Sequence, residues 1–196
     1  MRLLRLGGVS HVVTLHDARR EGLEPAGDFA EMLVDPVRLW RVPDPLPRTL
    51  VVGGQRAAVT LEALSLLADG RVDPRRLVLL PDGPLVESPA EFRGTSQVLE
   101  ERPGFLRVEA VASHPGHLVI ADAFAPGWTA RLDGSPVPLL RANGVFRAIA
   151  LPPGRHEIEC RYLPASLTWG VVFSLVLALA TLAVIAVVRT PTKPMS

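Results

Sequence analysis

Cysteine occurs once in the 196 residues, as Cys160, which excludes an internal disulfide framework and a Cys-rich zinc site. Charge of one sign is not in excess: 21 Lys and Arg face 20 Asp and Glu. A net charge of +1 excludes a nucleic-acid binder working through a broad basic surface. Lysine is almost missing, since Lys193 is the only one, and we read that as codon bias. No nucleophile-elbow Gly-x-Ser-x-Gly, phosphate-binding P-loop or dinucleotide fingerprint is present. There is no fixed-period repeat and no low-complexity segment. The length is too small for a TIM barrel or a two-domain Rossmann enzyme.

Apolar residues make up 48% of the chain, which excludes an acidic disordered tail, but they are unevenly placed. Ala165 to Val188 carries no charge. A bilayer core about 30 Å thick needs about 20 apolar residues as a helix, so this run is expected to span a membrane. Tyr162 and Trp169 at its start and Arg189 and Lys193 beyond its end fit interfacial anchors. What precedes the run is nearly neutral and large enough to bury its own core. The expected organisation is an extramembrane domain over 1–164, a transmembrane helix over 165–188 and a short basic tail over 189–196. The first residues form no signal-peptide apolar region, because Arg5 interrupts it and Gly7-Gly8 end it.

Nineteen Pro and sixteen Gly argue for short strands and turns rather than a helical bundle. Within 1–94 the pattern is irregular α+β. Strands are expected at Val9–Leu15, Met32–Val42 (one strand or a pair), Thr49–Val52 (closed by Gly53-Gly54) and Leu77–Leu80, with a loop over 17–31. A helix is expected at Thr60–Ala68, with Thr60 as N-cap, Leu61, Leu64 and Ala68 as its apolar face and Gly70 as its stop. Within 95–164 hairpins follow: Val98–Glu101, Leu106–Ala112, Leu118–Ala123, Trp128–Leu132, Val137–Leu140, Val145–Leu151 and Glu157–Tyr162. Asp133-Gly134, Asn143-Gly144 and Pro153-Gly154 are turn signals. The fold class expected is mainly β (α+β): an antiparallel β-sandwich with one short soluble helix and a single C-terminal transmembrane helix.

The order Leu118-Val-Ile-Ala-Asp122, Pro126-Gly-Trp128, Asp133-Gly134, Arg141-Ala-Asn143, Phe146-Arg-Ala148, Pro153-Gly154 and Tyr162-Leu-Pro164 before an apolar helix resembles one known arrangement. It is similar to the C-terminal extracytoplasmic domain and last helix of the YfhO family. Those are large bacterial membrane proteins similar to GT-C-type glycosyltransferases that use lipid-linked sugars. Leu6 to Thr14, Leu39 to Pro43 with Leu46 to Arg48, and Leu61 to Gly70 resemble earlier parts of the same domain. The family's many N-terminal membrane helices and its acidic catalytic loop have no counterpart here, so no catalytic residue carries over. The resemblance implies an accessory role on the outer face of a bacterial cell membrane, beside a lipid-linked sugar donor and an envelope acceptor. Its partners would be the bilayer and other transmembrane helices. A stand-alone membrane-anchored module for an envelope glycan or protein, and a truncated gene fragment, are the alternatives. The resemblance also implies that the sandwich lies outside. Charge alone is silent on this, with Arg155 and Arg161 on one side and Arg189 and Lys193 on the other.

Four residues are candidates for binding: Asp122, Trp128, Arg141 and Arg147. Trp128 suits stacking on a sugar ring or plugging the sandwich core. Arg141 and Arg147 suit a donor phosphate or ordinary cross-strand pairing. Gly170, Ser174 and Ala178 recur at i, i+4, i+8, a stripe that suits close packing with another helix or reflects membrane-helix composition alone. His114-Pro-Gly-His117 would need further ligands, such as Asp122 or Glu109, to hold a metal, and its Pro-Gly reads as a turn. Glu157 and Glu159 share one strand face, where an exposed sheet surface is the simpler reading. Cys160 is expected to be a buried small hydrophobe. No metal, cofactor or catalytic residue is assigned.

Overall fold

The computed structural model describes residues 1–15, 22–29 and 37–189. The chain opens with a short helix, α1 (Arg2–Leu6). Strands β1 (His11–Thr14), β2 (Glu24–Phe29) and β3 (Val37–Arg41) form an antiparallel sheet in the order β1-β3-β2. The β2 segment corrects the loop expected there. Its Pro25 is tolerated because β2 is an edge strand and the register slips between Pro25 and Gly27. The outer parts of the loop and strand expected there, 17–21 and 30–36, lie outside the described residues.

A small β-α-β unit follows β4 (Thr49–Val52). It runs β5 (Gly54–Ala57), α2 (Thr60–Ala68), β6 (Leu77–Leu80), with β5 and β6 parallel. Gly54 therefore opens a strand rather than closing one. The helix has the expected bounds but not the expected cap or face. Val59 is its N-cap and no side chain caps it. Ala63, Leu66 and Leu67 are buried, whereas Leu61 is 81% exposed and Ala68 is exposed. Two overlapping apolar stripes occur in this Leu-rich segment, and packing against Leu6, Leu46 and Leu79 selects the second.

The sandwich is built from β4 together with β7 (Gly94–Arg102), β8 (Phe105–Ala112), β9 (Gly116–Ile120), β10 (Trp128–Leu132), β11 (Ser135–Val137), β12 (Leu140–Ala142), β13 (Phe146–Leu151) and β14 (Gly154–Tyr162). One sheet has the order β11-β10-β14-β8-β7 and the other β12-β13-β9-β4. The single strand expected at Val137–Leu140 is two, in different sheets. Pro138 lacks an N–H, and the chain crosses between the layers there.

The core lies between the sheets. Alternation along β8 and β14 sends Leu106, Val108, Ala110, Ile158 and Cys160 inward, against Val51, Leu118, Ile120 and Ile149. Every residue of β9 is buried, because the β-α-β unit covers that sheet's other face through Val78 and Leu80. The helix α3 (Ala165–Arg189) leaves from the end of β14. Over Ala165–Ile185 it is long and apolar enough to cross a membrane, and all its described side chains are exposed. Residues 190–196, with Lys193, lie outside the described residues.

Asn143 locks the two layers of this arrangement together. It sits at φ +51° in the turn before β13, followed by Gly144 at φ +82°. Its own N–H donates to the Leu79 carbonyl at 2.7 Å, and its Oδ1 accepts the Leu79 N–H at 2.9 Å. The side chain thus acts as a strand edge for β6. Asn143→Ala is expected to cost about 2–4 kcal/mol, from a buried N–H left without an acceptor and a Cβ-bearing residue at positive φ. Asn143→Gly relieves only the backbone part and should melt between the two. Denaturant unfolding of the three proteins checks the order.

Candidate functional site

Strand register brings the sequence candidates to one end of the sandwich, the end from which α3 departs. Arg147 pairs with Ile120, Thr49 pairs with Ile120, and Trp128 pairs with Tyr162. Asp122 lies just beyond β9 and Arg48 just before β4, joined by the Ala121 N–H to the Arg48 carbonyl at 2.8 Å. Asp122 is the hub. Arg48 Nε and Nη2 donate to its Oδ1 and Oδ2, both at 2.9 Å. Arg147 Nη2 donates to Oδ2 at 2.5 Å. Arg48 also reaches Glu101 through Nη1 at 2.6 Å.

Arg147 is the unusual member. Only 1% of it is exposed, and it is among the largest fully buried side chains. Its guanidinium lies 3.9 Å from the centroid of the Trp128 ring, which in turn packs against Tyr162 at 5.2 Å. The ring's negative face and the Asp122 carboxylate offset the loss of hydration. Nε and Nη1 of Arg147 are buried and make no hydrogen bond within the described residues. Burial lowers the Arg147 pKa from its ordinary value, against the pull of Asp122. Arg48, more exposed, moves the other way because it is hydrogen-bonded first to Asp122 and then to Glu101. Trp128 is half-buried and packs against the inter-sheet core. Arg141 is exposed and stacks 4.9 Å from the Phe124 ring.

This arrangement braces the end of the sandwich. The Asp122 carboxylate is shared by two guanidiniums. The Cys160 thiol is buried and pushed up to about 11 by desolvation, so it is not a thiolate at neutral pH. Among the described residues no three His, Cys, Asp or Glu side chains gather as a metal site. His114 lies with Ser113 and Glu91, while His117 is buried in β9. Glu157 and Glu159 lie on the outer sheet face, paired with Arg107 and Arg161. Gly170, Ser174 and Ala178 are exposed along α3, and a side chain at Gly170 would meet nothing within 4 Å. The sequence reading did not name Arg48, Glu101 or Phe124 as site residues. No local pattern marks them, since Arg48 and Asp122 are 74 positions apart.

His117 gives a pH-dependent test of the core at the other end of β9 from this site. Its Nδ1 is buried without a partner, and burial lowers its pKa below 6.5. The unfolded chain then binds a proton that the folded chain does not. Stability is full above about pH 6.5 and falls as pH drops through that value toward the folded pKa. His117→Gln should flatten this part of the stability-against-pH curve, as read by melts between pH 5 and 8.

None of the protein-family models, curated proteins or solved structures compared with the chain matches it. The fold and site define a β-sandwich protein with an ionic junction at one end and a long apolar helix leaving from that end.

Proposed function

We propose that the chain is an accessory extracytoplasmic sandwich held to a bacterial cell membrane by α3. It works beside machinery that passes sugars from lipid-linked donors to envelope acceptors, and it is not catalytic by itself. One observation carries the reading: Asp122, Trp128, Arg141 and Arg147 gather where the chain enters α3, with Arg147 buried as the brace and Arg141, on the Phe124 ring, exposed for a ligand or a neighbour. The resemblance to the YfhO family supplies the substrate class and the outward orientation. Gly170, Ser174 and Ala178 are assigned to packing on other membrane helices. A stand-alone membrane-anchored module for an envelope glycan or protein is the second reading.

Two measurements test the proposal. The chain reconstituted alone with polyprenyl-phosphate sugars should give no turnover, whereas a photoreactive form of such a donor should label the end of the sandwich near α3. Turnover abolished by Asp122→Asn overturns the accessory role. Labelling by a soluble envelope glycan in place of the donor supports the second reading. For orientation, Ser135→Cys is useful, because Ser135 is exposed at the start of β11, just after the Asp133-Gly134 turn. A membrane-impermeant thiol reagent should reach it in intact cells.

A further inference from the structure

The rim around the start of α3 carries three exposed guanidiniums set on aromatic rings. Arg102 and Arg161 flank Phe105 at 5.0 and 5.1 Å from its centroid. Arg141 covers Phe124 at 4.9 Å. The rim is fixed to the helix entrance by backbone bonds: Tyr162 N–H donates to the Gly104 carbonyl, and Leu163 N–H to the Gly127 carbonyl, both at 2.8 Å. Gly127 packs so close to Pro164 that a Cβ there would lie 2.8 Å from its Cα. These contacts tie the turn 102–105 and the loop 121–128 to the point where α3 begins.

Over Ala165–Ile185 the helix is 21 residues long, about 32 Å at 1.5 Å per residue. That matches the hydrocarbon core of a bilayer, about 30 Å thick. With α3 spanning it, Ala165 lies at the edge of the hydrocarbon and the rim lies at headgroup depth. Two of the arginines also pair with acids, Arg102 with Glu100 at 2.7 Å and Arg161 with Glu159 at 3.1 Å. The cations are the outward partners: Arg102 and Arg161 side chains are 65% and 62% exposed, Glu100 and Glu159 29% and 25%. Arg141 makes no ion pair among the described residues. Phosphate oxygens are the natural acceptors for arginines at this depth, and the exposed Tyr162 and Trp169 at the helix entrance are the amphipathic rings that favour the interface.

We infer that the sandwich does not hang from α3 but docks onto anionic phospholipid headgroups through Arg102, Arg141 and Arg161, set on Phe105 and Phe124. The inference rests on the reading of α3 as a membrane span and is independent of the sugar assignment. Docking would hold the Asp122 junction against the bilayer surface, where a lipid-linked ligand presents its headgroup.

The full chain carrying Ala123→Cys, labelled with a fluorophore, tests this in nanodiscs of phosphatidylcholine with and without phosphatidylglycerol. Each disc contains some lipid with a nitroxide on its headgroup. Ala123 is exposed in the rim loop, and Cys160 is buried and stays unlabelled. Quenching at position 123 should be stronger in the anionic discs. Each arginine contributes roughly fivefold to the ratio of docked to undocked domain. The excess should vanish in about 1 M salt, where the Debye length is about 3 Å, without any change to the protein. Arg102→Gln, Arg141→Gln and Arg161→Gln together should abolish it as well. A label at Pro153→Cys, exposed in the β13–β14 turn at the end of the sandwich far from α3, should stay unquenched in every disc. Equal quenching at position 123 in both lipids, or none in either, overturns the docking. A chain that does not co-elute with the discs overturns the span itself, and so separates that failure from failure of the docking.

Discussion

Asp122→Ala is expected to lower stability by about 3–5 kcal/mol, because it leaves the buried Arg147 charge without a counter-ion. The reverse change is expected to be mild. Arg147→Met fills a similar volume with apolar atoms, and Asp122 keeps its two bonds from Arg48. The asymmetry follows from burial: the Arg147 side chain is 2% exposed and that of Asp122 24%. The double variant should recover most of what Asp122→Ala loses, since it removes the orphaned charge along with its partner. Denaturant unfolding of the full chain in detergent, comparing the two single variants and the double, reads this directly. Equal losses for both single variants would show that the pair is a surface-like bridge.

Trp128→Ala is expected to cost about 2–4 kcal/mol, below a fully buried tryptophan because the side chain is half-buried. Two contributions are lost. Apolar area against the core goes, and so does the ring face on which the Arg147 guanidinium rests. Trp128→Phe keeps a smaller ring and should lose about 1 kcal/mol, mostly from a weaker cation–ring contact. Trp128→Leu keeps area without a ring and separates the two. If stability is unchanged in Trp128→Ala while donor labelling disappears, the residue is a ligand platform and not a structural plug.

These effects concentrate at one place for a topological reason. The strands β4, β9, β10, β13 and β14 each begin or end at the face from which α3 departs. Side chains from five segments therefore meet there, and the apolar core gives way to a junction where polar groups must be paired. Asn143 does the equivalent work where the β-α-β unit meets the sandwich, using a turn residue as an acceptor for a neighbouring strand.

Much of this molecule is legible in the sequence. Alternation in Phe105–Ala112 and Gly154–Tyr162 names the inward faces, and Asp133-Gly134 and Asn143-Gly144 name turns that the backbone takes with positive φ at both residues. The long apolar run names α3. All these signals are local: they depend on period-two or period-3.6 spacing, or on a residue that tolerates left-handed backbone. What tertiary structure alone decides is non-local. The buried face of α2 was ambiguous because two apolar stripes satisfy the same period, and only the neighbours choose between them. The recruitment of β4 into the sheet of β9, and with it Arg48 to Asp122, depends on register across 74 residues. Arg147 and Asp122, 25 positions apart, were both visible as charged residues. That one is buried against Trp128 and the other half-exposed as its counter-ion follows from how two sheets close on each other, which no local pattern encodes.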